Sequence, residues 1–288
     1  LKVQIVNDLP MQWEDGYRKA LDGYDQEWVK TPQNTGSLDA RIFMWCSEDA
    51  VKFQQRNYGL PTLCFVRRYE VYAGFVNYMP WDTVAEIVVV NDVIGEMVEQ
   101  LAGKKPHVIY NSIIPQRWTW KDRIPGPNVA MVGFVNQKKN LPLALQVMAY
   151  LPDGVLHIAG EIQDPQVMDY VVNLANSLNV QVRFYGAIAR DHMNEWLDDK
   201  SFLINPSISE GCPNCVLEAL AKGIRPLVHN WPGARQQFGD LVFDGVDQAV
   251  RMAEASDYDS HFYRHLAEKQ FGEANFMEFR RVFDGIFA

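Results

Sequence analysis

The stretch Asn205-Pro-Ser-Ile-Ser-Glu-Gly-Cys-Pro-Asn-Cys-Val-Leu-Glu-Ala-Leu-Ala-Lys-Gly-Ile-Arg-Pro226 decides the fold. It reads as a strand, a tight glycine loop, a helix, a turn and the next strand. A helix beginning near Pro213 places that proline in the first turn, where its missing N–H costs nothing. On a 100° wheel Val216, Leu217, Leu220 and Ala221 form one apolar face, and Asn214 and Glu218 form a stripe opposite. Gly211 lets the backbone approach a ligand closely, and Gly223 supplies the helix stop. The loop-to-helix junction offers backbone N–H groups and the positive end of a helix dipole, which suit a phosphate. Glu210 and Glu218 bracket it. Carboxylates are poor phosphate ligands but good acceptors for sugar hydroxyls, so the combination suggests a nucleotide-sugar site. The plainer reading makes Glu210 a helix cap and Glu218 part of a solvated face.

Outward from this stretch, short β-branched runs alternate with helical patterns along the chain. In the first part strands are expected at Val3–Val6, Arg41–Trp45, Thr62–Val66, Glu86–Val90 and His107–Tyr110. Helices are clearest at Glu48–Asn57 and at Asp92–Leu101, where Val93, Met97 and Leu101 recur at helical spacing. The Pro-, Trp- and charge-rich run Ile113–Asn128 suits an interdomain linker. A second series follows, with strands at Val129–Val132, Val155–Ala159, Val182–Tyr185, Phe202–Asn205 and Leu227–His229. Between them helices are expected at Leu141–Tyr150, Gln166–Leu178, His192–Leu197 and Asn214–Lys222. Such alternation predicts an α/β protein with two parallel sheets, each covered on both faces. The expected division is residues 1–120, 121–270 and a terminal helix over 271–288 that returns to the first domain. Ligands on such sheets bind at the carboxyl ends of strands, here in the cleft between domains.

The 288 residues suit two domains, and 48% apolar with 22% charged residues is ordinary globular composition. A formal charge of −9, from 27 Lys and Arg against 36 Asp and Glu, argues against broad nonspecific binding of nucleic acid. No apolar run reaches the roughly 18–20 residues of a membrane span. The opening Leu-Lys-Val-Gln-Ile-Val reads as a first strand rather than a signal peptide. Four scattered cysteines make no secreted disulfide framework. The expected location is the cytoplasm, with peripheral membrane association left open.

Ser207-x-x-Glu210-Gly211-x-Pro213-x-x-x-Leu217-Glu218-Ala219-x-Ala221-x-Gly223 resembles the Glu-x7-Glu signature of retaining GT-B glycosyltransferases of the family-4 type. Val132-Gly133, Lys139-Asn140, Ile158-Ala159-Gly160, Phe184-Tyr185-Gly186 and Ile109-Tyr110-Asn111 fall in family order. The likeness covers about Val108–Gly233 and is weak before Val84. It implies two Rossmann-like domains facing across a cleft, and transfer of a sugar from a nucleotide diphosphate to an acceptor hydroxyl with retention. Glu218 would hold the ribose and Glu210 the donor sugar hydroxyls. Lys139, with Lys138 beside it, would supply positive charge at the diphosphate. Amides around Asn214, Cys215 and Val216 would receive a phosphate, with Gly133 and Gly211 allowing close approach. Ala187 and Ile188 would lie beside the base. The resemblance implies no cofactor and no obligatory metal, the nucleotide-diphosphate sugar being a substrate. The acceptor would be a glycan, a lipid-linked or another hydroxyl compound.

Three departures stand out. Phe134 occupies the place of the family's usual arginine after Gly133, with Lys138 or Arg235 as substitutes. Leu9-Pro10-Met11-Gln12-Trp13 replaces a glycine-rich loop. Val66-Arg67-Arg68-Tyr69-Glu70 replaces a histidine-bearing strand end. Arg67 and Arg68 would face an anionic acceptor, in a minority reading a polyanion such as modified DNA, or else lie in solvent or pair with Glu70. A non-catalytic nucleotide- or glycan-binding protein on the same fold is the main alternative. Cys212-Pro-Asn-Cys215 at a helix N-terminus also has the spacing of a dithiol redox centre, and zinc there would need Cys46 and Cys64 to converge on the pair. His261 and His265, four apart, are expected in solvent or between domains. Trp118, Trp120, Phe271, Phe276, Phe279, Phe283 and Phe287 are expected to pack together around the terminal helix.

Overall fold

The computed structural model describes residues 1–8, 14–34, 36–56, 59–151 and 153–287. The chain divides into two compact units, one of Leu1–Ser112 with Phe271–Ala288, the other of Ile113–Gln270.

The first unit contains β1 (Lys2–Val6), α1 (Glu14–Ala20), β2 (Asp25–Val29), β3 (Ala40–Phe43), α2 (Glu48–Gln54), β4 (Thr62–Val66), α3 (Arg68–Tyr72), β5 (Glu86–Val89), α4 (Asp92–Ala102) and β6 (His107–Val108). The six strands form one parallel sheet in the order β2-β1-β3-β4-β5-β6. β3 and β4 are buried at every residue, as strands covered on both faces must be. Asn91 caps α4 by accepting from the Ile94 amide, and Gly103 in the left-handed region ends it. The buried side of α4 is Ile94, Gly95 and Val98. The apolar spacing Val93, Met97, Leu101 therefore picked the outer side, where Met97 and Leu101 are exposed.

The second unit runs β7 (Asn128–Val132), α5 (Leu141–Met148), β8 (Val155–Ala159), α6 (Pro165–Leu178), β9 (Gln181–Phe184), α7 (Arg190–Trp196), β10 (Phe202–Asn205), α8 (Asn214–Ala221), β11 (Arg225–His229), α9 (Ala234–Phe238), β12 (Val242–Phe243), α10 (Val246–Glu254) and α11 (Ser260–Gln270). Its sheet is also parallel, in the order β12-β11-β10-β7-β8-β9. Counted within the unit this is 6-5-4-1-2-3, the doubly wound order whose direction reverses between its first and fourth strands, here β7 and β10. Met131, Leu145, Leu156, Ile158, Ile204 and Leu227 belong to its core.

The segment after Ile113 is anchored within the second unit rather than free. The Arg123 guanidinium donates to the Lys222, Asp198 and Lys200 carbonyls at 2.8–2.9 Å, and the Arg123 amide donates to Ser260 Oγ. Lys222 Nζ, itself fully buried, reaches Thr119 O, Asn194 Oδ1 and Asp198 Oδ1.

In the first unit α12 (Glu273–Asp284) packs on α1. Tyr17 meets Phe276 and Phe279 edge-on at centroid distances of 5.1 and 4.9 Å, and Phe279 lies 5.5 Å from Phe65. Phe283 and Phe287 extend the cluster to Tyr24, and Phe271 contacts Tyr110. The two tryptophans expected in this cluster lie in the other unit. Trp120 is beside His261 and donates to Ser260 O, and the Trp118 carbonyl accepts from Arg264. Among the described residues, no helix is long and apolar enough to cross a membrane.

Candidate functional site

The reversal of strand order in the second sheet places two loops side by side at the carboxyl ends of β7 and β10. The sequence of the first loop, Asn136-Gln-Lys-Lys-Asn140, carries its own turn chemistry. Asn136 Oδ1 accepts from the Lys139 amide, and Asn140 adopts a left-handed conformation that turns the chain into α5. Two hydrogen bonds then join this loop to the other: Asn140 Nδ2 to Pro206 O at 3.1 Å and the Ile208 amide to Lys138 O at 3.0 Å. From the far side His229 Nδ1 donates to Ser207 O, and Gln237 Nε2 donates to Gly211 O at 2.7 Å. The loop that bears Glu210 is thus held from three elements.

The strand ends meet closely here. A Cβ on Gly160 would lie 1.9 Å from Gly133 O, and one on Gly133 would lie 2.9 Å from Lys139 Cε. Lys139 consequently folds across Gly133, and its Nζ reaches Glu210 Oε1 at 2.6 Å, with both side chains nearly buried. Burial alone would raise the Glu210 carboxyl, but Lys139 and then Lys138 outweigh it and hold the group below its usual value. Glu210 is therefore a carboxylate paired to an ammonium, not a helix cap. The cap position belongs to Pro213, which makes no side-chain hydrogen bond.

Glu218 lies in the second turn of α8. It is only 7% exposed, and every residue from Cys215 to Ala221 is buried. Of the expected solvated stripe only Asn214 is partly exposed, while Glu218 is buried in a helix that α11 packs against. Glu218 makes no side-chain hydrogen bond among the described residues. Burial pushes its carboxyl up to about 8 against the opposing charge of Arg190. Cys215, in the first turn, accepts weakly from Asn205 Nδ2, and burial pushes its thiol up to about 12. A redox-active cysteine at a helix N-terminus has a lowered pKa. Cys212 and Cys215 are both buried, 6% and 8% exposed, whereas reactive cysteines sit partly exposed, so burial argues against the dithiol reading. Cys46 and Cys64 belong to the first unit, and among the described residues no group of three or more His, Cys, Asp or Glu is placed to hold a metal.

Other expected residues fall as follows. The Val216 amide donates to Pro213 O at 3.1 Å within the first turn of α8. Asn214 and Cys215 precede it at the helix start. Ala187 and Ile188 lie in the loop between β9 and α7, whose preceding Gly186 accepts from the Gly160 amide through its carbonyl at 2.7 Å. Phe134 is 45% exposed beside the site. Arg235, suggested as a replacement cation, pairs instead with Asp244 at 2.5 Å. His261 and His265 are exposed.

In the first unit Arg67 is buried. It donates to Met44 O and stacks 4.2 Å from the Trp45 ring, while Arg68 lies over Tyr72. Burial raises the Glu70 carboxyl above its ordinary value, and the Arg67 charge offsets only part of that rise. The stretch Leu9-Pro10-Met11-Gln12-Trp13 lies outside the described residues. Sequence reasoning missed Arg190, His229 and Gln237. The first acts only through the fold, and the other two are residues of ordinary appearance whose partners lie 22 and 26 positions away. Asn136, three residues before Lys139, carried a readable capping signal.

Residues 116–255 match the model of the family described as glycosyl transferases group 1. The whole chain is also similar to solved structures. A glycosyltransferase from Rickettsia africae is 13% identical, with a TM-score of 0.75 over 99% of this chain and 98% of that one. Sucrose-phosphate synthase from Thermosynechococcus elongatus is 12% identical, and Anabaena HepE in complex with UDP-glucose is 9% identical. Each has a TM-score of 0.77 and covers 99% of both chains. No curated protein sequence matched the chain. The fold is thus that of the GT-B glycosyltransferases, an α/β architecture of two Rossmann-like domains. The second unit, which carries the family match, supports sugar transfer as the activity class.

Proposed function

We propose that this protein is a retaining glycosyltransferase that moves a sugar from a nucleotide-diphosphate donor to an acceptor hydroxyl. The observation that carries the reading is the Lys139–Glu210 contact at the strand-order reversal, with Glu218 buried in the adjoining helix and, among the described residues, without a side-chain hydrogen bond. Glu218 takes the ribose hydroxyls, which supply the donors its carboxyl lacks. Glu210 takes hydroxyls of the donor sugar. Lys139 and Lys138 stand at the diphosphate, where negative charge grows as the glycosidic bond breaks. The start of α8 adds the Asn214 and Cys215 amides and the helix dipole. The Gly133–Gly160 contact keeps side chains out of the phosphate path, and Ala187 and Ile188 flank the base.

In this mechanism the leaving diphosphate accepts the acceptor's proton on the face from which it departs, so neither glutamate acts as nucleophile and no resident metal or cofactor takes part. Anabaena HepE was solved with UDP-glucose, which makes uridine the first base to test. The acceptor is a glycan, a lipid-linked or another hydroxyl compound. Arg67, engaged beneath the surface by Met44 and Trp45, is a poor contact for a polyanionic acceptor. Coupled detection of free nucleotide diphosphate, with NMR of the product anomer, tests the proposal. Turnover unchanged in a Glu210→Ala, Glu218→Ala double variant, or an inverted product, refutes it.

Phe134 favours a second reading, a nucleotide-binding protein without turnover, because it puts an exposed ring where the resemblance expects a diphosphate cation. Calorimetric binding of nucleotide with no transfer across a broad acceptor panel would select that reading.

A further inference from the structure

Within the chain itself, Glu210 is an anionic partner of Lys139. Nζ and Oε1 are 2.6 Å apart, the side chains are 13% and 10% exposed, and the lysine stem is confined against Gly133. A diphosphate at this lysine therefore meets a cation that already has a carboxylate, in a setting too dry to screen one anion from the other. The donor sugar changes that balance. Its hydroxyls give the Glu210 oxygens other hydrogen bonds, so the ammonium turns to the phosphate.

We propose that Glu210 is a discrimination and product-release residue as well as a sugar contact. It yields Lys139 to the diphosphate while a donor sugar occupies the carboxylate, and it reclaims the ammonium once the sugar has been transferred. This rests on the nucleotide-sugar reading given above. The loops favour such an exchange over a wider rearrangement. The amide of Lys139 is fixed by Asn136, the Lys138 carbonyl by Ile208 and the Gly211 carbonyl by Gln237. Only the last side-chain torsions of Lys139 and Glu210 need change. The bare nucleotide product then binds more weakly than the sugar-bearing donor, and it leaves.

The test is a double-mutant cycle over Glu210→Gln and Lys139→Met. Calorimetric Kd values are measured for UDP, GDP, ADP and UDP-glucose, and thermal melts establish folding. In Glu210→Gln the bound nucleoside diphosphate is expected to tighten at least tenfold and UDP-glucose by much less, so the preference for the sugar-bearing form collapses. In the Lys139→Met background the glutamine substitution is expected to change diphosphate affinity by less than twofold. Glu210→Ala, read in the same way, covers a glutamine variant that fails to fold. Diphosphate binding that is unchanged or weaker in Glu210→Gln overturns the inference, because Glu210 would then merely prop Lys139 in place. Tightening that persists without Lys139 also overturns it, in favour of simple repulsion through space. Absence of binding by any nucleotide to every folded variant refutes the nucleotide-site reading itself, an outcome distinct from both.

Discussion

Replacing Glu218 with glutamine should stabilise the protein at alkaline pH and leave it nearly unchanged at acidic pH. The side chains have the same shape, so the variant removes ionisation and little else. In the folded protein burial raises the Glu218 carboxyl from 4.5 to about 8. Between those values the unfolded chain has released this proton and the folded chain retains it. The native state then binds more protons, and stability falls as pH rises through the window. At about 1.4 kcal/mol per pH unit, the full interval corresponds to about 5 kcal/mol once pH exceeds 8. Glutamine is spared that loss. At pH 5 the two proteins should melt within a few degrees of each other. At pH 8.5 the glutamine variant should melt higher by about 10–20 °C, since 1 kcal/mol corresponds to about 2–4 °C in a domain of 150–250 residues. Calorimetric melts at pH 5, 6.5 and 8.5 read this directly, because every other titrating group is common to both proteins. A difference in Tm that is constant across the three pH values would show that Glu218 titrates normally, and the account of its burial would be wrong.

Lys222→Met should destabilise the second unit by about 2–3 kcal/mol, because it strips the cation from Asp198, Asn194 and the Thr119 carbonyl; an unchanged urea midpoint would contradict this. Gly160→Ala must separate two strand ends, since its Cβ would lie 1.9 Å from Gly133 O. It should cost about 1–3 kcal/mol and abolish nucleotide-induced thermal stabilisation, whereas wild-type melting behaviour with and without UDP would count against the close approach. Cys215, with its thiol pushed up to about 12 and 8% of its surface exposed, should react with iodoacetamide far more slowly in the native protein than in urea. Equal rates by mass spectrometry would revive the dithiol reading.

The strand–loop–helix around Glu210 was legible because its signals are local: a glycine loop, a proline at the helix start, and Gly223, whose φ of 72° closes α8. The burial of Glu218 was not. A helical wheel assigns the side opposite the core to water, whereas here α11, some 45 residues further along, also packs on α8 and Glu218 is buried. The same limit misplaced the inner face of α4. Edge strands were missed for a different reason. β2 is Asp-Gln-Glu-Trp-Val with no fully buried residue, and β12 has two residues, so neither displays a core pattern. Arg67 shows the reverse error: a charge after a strand reads as surface, yet the Trp45 and Phe65 rings and the Met44 carbonyl enclose it.

Glu218 also breaks the rules its own helix otherwise keeps. Around it α8 is apolar, buried on all sides and stopped cleanly at its carboxyl end, where Arg264 and Arg123 donate to the Ala221 and Lys222 carbonyls. A leucine or methionine at position 218 would satisfy packing, propensity and dielectric together. A buried carboxyl that makes no side-chain hydrogen bond among the described residues satisfies none of them, and it lowers stability above pH 5. Local inconsistency of that size collects where a ligand completes the structure. The groups that could complete this one are hydrogen-bond donors, since among the described residues no side chain donates to the Glu218 carboxyl and Arg190 acts on it only through its field. A vicinal diol offers two donors at the spacing of one carboxylate, and a phosphate offers none. On the proposed reading Glu218 and the start of the same helix take opposite chemistries less than two turns apart, hydroxyls at one and an anion at the other, and a nucleotide carries both in that proximity.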